Sequence, residues 1–437
     1  MYKLLIGLLF SACFIFVPEI GFSQITSGAN DLIPTDYSSG PQDMIHIFCG
    51  NKDELKASLT ANYPEGESGT FEWFKYNPVI GDFDIYPGDL ANGISSTISN
   101  LENGCYRVKL STTSGDKIYT AWVFNNYIEA TADIPQSDCD YFTLEGAFDS
   151  PVLEYVDLTN GQTKQLTKDI QARWMLGSSK VSSVLTSKVY SPPTKDTQYT
   201  LEVTDRFGCV GKADVIYHSI VTKASFEYTM DEHKSDTKKN EAPLTVTFTN
   251  NSENGDPGKY EWFIYKDLQK IIEEKEAGTF KDSIDQIIYS DSPVYIFEET
   301  GSYKVKLVSK KVSEFNTCTD TMYMADYIIV DESLIDAPNA FTPNGDGTND
   351  IFAVRFFSMK SVKVSIFNRW GKRVHMWESN NVRGFYNSAS TIPESVWDGK
   401  IGGHLASPGV YYWVAEGIGR DGKKQSENGF VHLFRDK

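Results

Sequence analysis

The chain has 437 residues, too many for a single core and enough for roughly three to four domains of ordinary size. Its 41 basic and 59 acidic residues leave a net charge of −18, which argues against nucleic acid or anionic lipid as a main partner. Aromatic residues at 13%, with many Val, Ile and Thr between short polar breaks, favour strands over helices.

The N-terminus carries Lys3 and then an apolar run, Leu4 to Val17. The run is too short to span a bilayer and suits a signal-peptide core. A buried helix would need polar positions on one face, and this run has almost none. Small residues Gly21 and Ser23 place cleavage between Ser23 and Gln24, so residues 1–23 read as a leader. Residues 24–43 read as a polar spacer, with Gly28, Pro34, Gly40 and Pro41. No later segment is long and apolar enough for a transmembrane helix, so the mature chain is expected to carry no such anchor.

Three strand-rich units are expected next, at 44–132, 133–221 and 222–332. In the first, Tyr106, Val108 and Leu110 alternate with Arg107 and Lys109, a period of two that turns one face inward. Cys49, Trp73 and Cys105 follow the order of an immunoglobulin-type sandwich, whose inter-sheet disulfide packs on a buried Trp. That order predicts a Cys49–Cys105 bond; the alternative is two separate cysteines and a plain core Trp. In the second unit Tyr199, Leu201 and Val203 alternate, Asp205 to Gly208 form a hairpin turn, and Cys209 opens the last strand. Cys139 and Cys209, placed on the first and last strands, are expected to bridge. This unit resembles, through its TDRFGC turn, the immunoglobulin-like repeats of large surface proteins of Bacteroidota.

The third unit carries APLTVTFTNNS at Ala242–Ser252, YEWFIY at Tyr260–Tyr265 and GSYKVKLVS at Gly301–Ser309. These blocks resemble a PKD-like β-sandwich, with Trp262 and Tyr303 as core aromatics. The Lys/Glu-rich stretch Lys266–Asp285 departs from that family and reads as a solvated face or a short surface helix. Of the six cysteines, Cys13 falls in the leader and Cys318 has no partner in its own unit. It is read as buried and inert, or as bridging between chains. Strands of one pattern recur at Cys105–Leu110, Gln198–Val203 and Ser302–Leu307, about a hundred residues apart as in tandem sandwiches.

After Asp336 comes PNAFTPNGDGTND at Pro338–Asp350, whose Gly and Asx residues favour turns and break strands and helices. It is followed by VKVSIFNRWGKRVH at Val362–His375, WDGK at Trp397–Lys400, SPGVYYWV at Ser407–Val414 and GFVHLFR at Gly429–Arg435. In this order, and near the C-terminal end, the blocks resemble the gliding-motility-associated C-terminal domain, the type B sorting domain of Bacteroidota type IX secretion. The resemblance covers 336–437. It implies a small antiparallel sandwich, export across the outer membrane to the cell surface or medium, and the type IX secretion machinery with an outer-membrane partner protein as partners. Trp370, Trp397, Tyr411 and Trp413 are expected to fill its core or its docking face, with Tyr411 and Trp413 on opposite faces so that at least one of them is exposed or edge-packed. An edge strand read through main-chain pairing is the expected recognition mode.

Asn344, Asp346 and Asp350 are the candidate calcium ligands, because oxygen side chains alternate there. An EF-hand needs Gly at its sixth place and Glu at its twelfth, where this loop has Asn349 and Arg355. A network of Asx turns is the preferred reading. No CxxC, HExxH, GxSxG or phosphate loop occurs, and the six histidines, His46, His218, His233, His375, His404 and His432, are scattered. The expected class is therefore all-β, tandem antiparallel sandwiches with a terminal sorting domain. The expected role is non-enzymatic adhesion or ligand presentation, toward a glycan or protein. The alternatives are a binding or scaffold subunit of a polysaccharide-processing or gliding-motility assembly, and an extracellular hydrolase with unrecognised catalytic groups.

Overall fold

The computed structural model describes residues 25–63, 67–86, 91–112, 115–230, 240–279, 283–380, 382 and 394–435. The leader and the Ser23/Gln24 cleavage point lie outside them, as does His233. The described fold is nearly all strand, with one short helix. Two compact units divide the chain. One holds residues up to Gln136 with Phe142–Val189 and Thr197–Tyr217; the other holds Ser137–Tyr141, Tyr190–Asp196 and His218–Lys437.

The first unit contains two sandwiches. In one, a three-stranded sheet (Ile25–Thr26, Ala57–Asn62, Ser95–Leu101) faces a seven-stranded sheet built around Met44–Cys49, Gly115–Asn126, Gly104–Thr112 and Gly69–Asn77. Leu59, Ile98, Phe71, Trp73, Tyr106 and Val108 from both sheets form the core between them. The segment expected as a spacer is part of this sandwich. Ile25–Thr26 pairs with Ala57–Asn62, and Asp31–Pro34 pairs with Met44–Cys49, because Ile25 and Ile33 have apolar faces to cover. Met44–Cys49 runs parallel to Gly115–Asn126, so the sheet is not wholly antiparallel. In the second sandwich, Phe142, Leu144, Trp174, Leu201 and Val203 lie between the sheet containing Tyr141–Asp149 and the sheet containing Gln171–Leu176 and Thr197–Thr204.

The two sandwiches of this unit share a further apolar cluster: Ile45, Ile47, Cys105, Trp122 and Phe124 against Leu153, Tyr155 and Phe207. The strands Met44–Cys49 and Gly115–Asn126 are thus covered on both faces, which is why residues 45–48 and 121–124 are buried at every position. A disulfide joins Cys49 to Cys209 across the same joint, and Cys105 is a free, buried thiol. The expected Cys49–Cys105 bond is thereby corrected. Both cysteines lie in one sheet with Gly115–Asn126 between them, Cys49 opposite Asn126 and Cys105 opposite Trp122, so they are separated by roughly 9.5 Å across the sheet and roughly 13 Å along it, beyond the ~7 Å reach of a disulfide.

The second unit contains the third sandwich and the terminal module. Phe226, Leu244, Val246 and Phe248 pack against Trp262, Ile264, Val305 and Leu307 in the third. Leu268–Ala277 is the helix, started by the Asp267 side chain accepting from Gln269 N–H and stopped at Gly278, φ +72°. A second disulfide, Cys139–Cys318, ties the Ser137–Tyr141 segment to strand Thr317–Tyr323. The expected Cys139–Cys209 bond is corrected as well. Cys209 is held to Cys49 within the first unit, whereas Cys139 belongs to the Ser137–Tyr141 segment of the second unit and is held to Cys318.

One local device recurs. The hydroxyls of Tyr106, Tyr303 and Tyr411 donate to the carbonyls of Glu102, Glu299 and Ser407, each at 2.9–3.0 Å and each four residues upstream. Two residues before each Tyr stands a glycine with φ near +150°, Gly104, Gly301 and Gly409, a conformation that side chains rarely adopt. This tyrosine corner pins the strand entry in sandwich folds and gives the Gly-x-Tyr pattern its physical cause.

Candidate functional site

The terminal module begins with strand Leu334–Asp336, paired with Phe352–Phe357, and continues into a five-stranded sheet ordered Ala340–Phe341, Lys424–Leu433, Gly409–Gly419, Met359–Phe367 and Arg373–Ser379. Val362, Val364 and Ile366 alternate inward onto Phe341, Phe352 and Trp397. Tyr411 and Trp413 are both buried, at 6% and 8% exposure. The expected split between faces is corrected: residues two apart on a strand share a face, and Tyr412 between them points outward. Trp397 is buried and Trp370, on the Asn368–Lys372 turn, is 78% exposed.

The seam loop collapses onto its own amides. Asp350 accepts from Gly345 N–H at 2.7 Å and from Gly347 N–H at 2.8 Å. Asp346 accepts from Thr348 N–H and from the Asn344 side chain, and Asn344 accepts from Asp346 N–H. Gly345 and Gly347 have φ near +84°, which aims those amides at one carboxylate. The two glycine amides hold the Asp350 carboxyl below its usual range. Asn344, Asp346 and Asp350 are thus brought together, with their oxygens engaged by the loop. Among the described residues no cluster of three or more His, Cys, Asp or Glu side chains suits a metal.

Outward on the five-stranded sheet lies an aromatic face. Tyr412 pairs across strands with Phe367 and with Phe430. Tyr412, Phe430 and Phe434 are each about half exposed, and His432 lies between the two Phe rings at 5.5 and 5.6 Å. Strand Arg373–Ser379 forms one edge of this sheet. A cleft of about 310 Å³ opens beside the seam, lined by Asp336, Pro338, Asn349, Ile351 and Arg355 among others.

A buried polar knot joins the module to the third sandwich. Ser358 is fully buried with φ +49°. Its N–H donates to Glu241, its hydroxyl donates to Asp331 C=O, and Ala242 N–H donates to that hydroxyl. Arg420 adds an ion pair to Glu298 at 2.7 Å. No sequence motif marks this knot, because its members come from five separate segments.

Among the described residues the histidines remain apart. His46 is buried, with its pKa pushed down to about 4 by burial, and its Nδ1 is 2.7 Å from Ser27 Oγ. His218 contacts Asp196 at the surface. At the joint in the first unit, buried Asn126 lies between Lys168 and Asp205, three residues that no spacing in the sequence connects.

Residues 335–433 match the family of the CHU_C Type IX secretion signal domain. The match indicates handling by the type IX secretion machinery and export across the outer membrane, to the cell surface or extracellular space. No helix among the described residues is long and apolar enough to cross a membrane. No curated protein matches the chain. Similar solved structures include a tetra-tandem repeat from the extending region of a large adhesion protein, at 11% identity over 87% of this chain and 96% of that one, TM-score 0.28. The eight N-terminal Ig domains of Down Syndrome Cell Adhesion Molecule align at 9% identity over 89% and 46%, TM-score 0.23. Three N-terminal domains of the bacteriophage RB49 outer capsid protein Hoc align at 11% over 61% and 92%, TM-score 0.21. At such TM-scores the likeness carries no argument about function.

Proposed function

We propose that this is a non-enzymatic, modular surface or secreted protein that leaves the cell by type IX secretion and presents its upstream sandwiches for adhesion or ligand contact. The observation that carries the reading is the signal-domain match at 335–433, on a module with its own core. The domain is of the type B, gliding-motility-associated kind, and the third sandwich is PKD-like. The aromatic face around Tyr412 and Phe430, or the edge strand Arg373–Ser379, is the surface read by the export machinery and its outer-membrane partner. Apolar rings left half exposed on a folded sheet support that role. The shared core and disulfide of the first unit support a stiff presenting body.

Deleting residues 336–437 tests the export half: the chain is expected to accumulate in the periplasm instead of outside. Secretion at the wild-type level would overturn it. Glycan-array and cell-adhesion assays on the chain from Gln24 to Ser333 test the presenting half. A single upstream carboxylate whose substitution abolishes a measurable hydrolysis would replace that half with an enzyme.

A further inference from the structure

The joint of the first unit holds an amine, an amide and a carboxylate in reacting order. Asn126 ends strand Gly115–Asn126 of the first sandwich and is 1% exposed. From the second sandwich, Lys168 Nζ donates to Asn126 Oδ1 at 2.7 Å. On the other side of the same amide, Asn126 Nδ2 donates to Asp205 Oδ2 at 2.6 Å. Asp205 is itself buried and fixed, since its Oδ1 accepts from Phe207 N–H and Cys209 N–H, both at 3.0 Å. Ser150 Oγ, 2.6 Å from Nζ, orients the amine. Lys168 and Ser150 also line a cleft of about 460 Å³, which gives a small leaving group a way out.

We propose that Lys168 and Asn126 form an intramolecular isopeptide bond that locks the first two sandwiches together, with Asp205 as the proton carrier. The neutral amine attacks Asn126 Cγ, forming the C–N bond as the carbonyl electron pair moves onto Oδ1. Asp205 takes up the proton that the amine loses and delivers it to Nδ2, to which it is already hydrogen-bonded. Collapse of the intermediate restores the carbonyl, breaks the Cγ–Nδ2 bond and releases ammonia. One primary amine and one primary amide become one secondary amide and one ammonia, with no oxidant, reductant or co-reactant.

Three physical factors favour the step. Burial lowers the Lys168 pKa to about 8, against the pull of Asp205 and Asp149, which raises the neutral amine a few hundred-fold at neutral pH. Nζ sits at hydrogen-bond distance from the carbonyl it attacks, a contact that turns an intermolecular reaction into a positioned one. The Cys49–Cys209 disulfide adjoins the site, with Asn126 Nδ2 3.0 Å from Cys209 Sγ, and holds the two sandwiches in register while the slower reaction proceeds.

The test is mass spectrometry of the full chain after complete reduction and alkylation, with wild type compared against Lys168→Arg and Asp205→Asn. Wild type is expected to be lighter by one ammonia than predicted from the difference between the two sequences, a comparison that cancels ammonia lost elsewhere, such as at an N-terminal Gln. Proteolysis is expected to yield one branched peptide joining the Asn126 and Lys168 segments. Asp205→Asn keeps the Oδ1 acceptor of the turn and is expected to lose the branch. Linear peptides carrying unmodified Asn126 and Lys168 in the wild-type chain would overturn the bond. A branch of full yield in Asp205→Asn would overturn the role of Asp205.

Discussion

Acidification from about pH 7 to pH 4 probes His46. The ring lies 1% exposed in strand Met44–Cys49, with Nδ1 against Ser27 and Nε2 without a partner among the described residues. Its folded pKa is pushed from 6.5 to about 4, so the folded state holds the neutral ring while the unfolded chain takes up a proton. The sign follows. Above about pH 6.5 the ring is neutral in both states and contributes no pH dependence; stability is lost as pH falls from 6.5 toward 4 and the loss levels off below that. The gap between 6.5 and about 4 corresponds to roughly 3 kcal/mol at the lower end, and to about 1.4 kcal/mol at pH 5.5. For a body of this size that is a drop in Tm of roughly 6–12 °C. The assay is scanning calorimetry of wild type and His46→Gln across this range. Gln cannot titrate, so the difference between the two proteins should shift in favour of the variant as pH falls, while carboxylate contributions common to both cancel. Parallel curves from pH 7 to pH 4 would refute the reasoning.

Replacing Cys49 and Cys209 together by Ala opens a closed loop of 160 residues, worth up to about 5 kcal/mol in a chain-entropy picture. In the Lys168→Arg background the first unit's Tm should fall by roughly 10–20 °C, and an unchanged Tm would refute the staple. Non-reducing peptide mapping of the wild-type chain should return Cys49–Cys209 and Cys139–Cys318, with Cys105 labelled by thiol reagents only after unfolding, since burial raises its pKa. Tyr303→Phe removes the hydroxyl that holds Glu299 C=O and should cost about 1 kcal/mol in a denaturant melt. Ser358→Ala leaves the buried Ala242 N–H and Asp331 C=O without that hydroxyl and should cost about 1–3 kcal/mol, read as a lower unfolding midpoint of the second unit.

What could be read from the sequence was what a short window contains. Alternation placed Tyr106, Val108 and Leu110, Tyr199, Leu201 and Val203, and Val362, Val364 and Ile366 inward, and all are buried. The recurring strands at Cys105–Leu110 and Ser302–Leu307 were visible, but the tyrosine corner at their start was not, because it depends on the φ of Gly104 and Gly301. The disulfides could not be read, because pairing depends on which strands share a sheet. The parallel alignment of Met44–Cys49 with Gly115–Asn126 put Cys49 and Cys105 in one sheet and left Cys49 facing the next sandwich. The seam loop showed its turn residues; which amide each carboxylate takes depended on positive φ at Gly345 and Gly347. Asp205 was visible only as a turn residue, and no motif marked Asn126 or Lys168. Their meeting is a product of the joint alone.

The placement of the covalent links follows from how the cores are built. Each sandwich already buries a Trp and a set of aliphatic residues between its own sheets, so a bridge inside a sandwich would add to a core that can stand without it. A joint between tandem domains has less to rely on, since contacts of that kind are small and relative motion is the default. In the first unit the joint has a nine-residue buried cluster, one disulfide and the Asn126–Lys168–Asp205 group. All of them lie where the strand leaving the first sandwich meets the second. Apolar contacts resist separation only over a short distance, and a disulfide resists it until reduced. An amide bond at the same place would resist both, a property suited to a joint outside the cell, where load and redox state are set by the surroundings rather than by the protein.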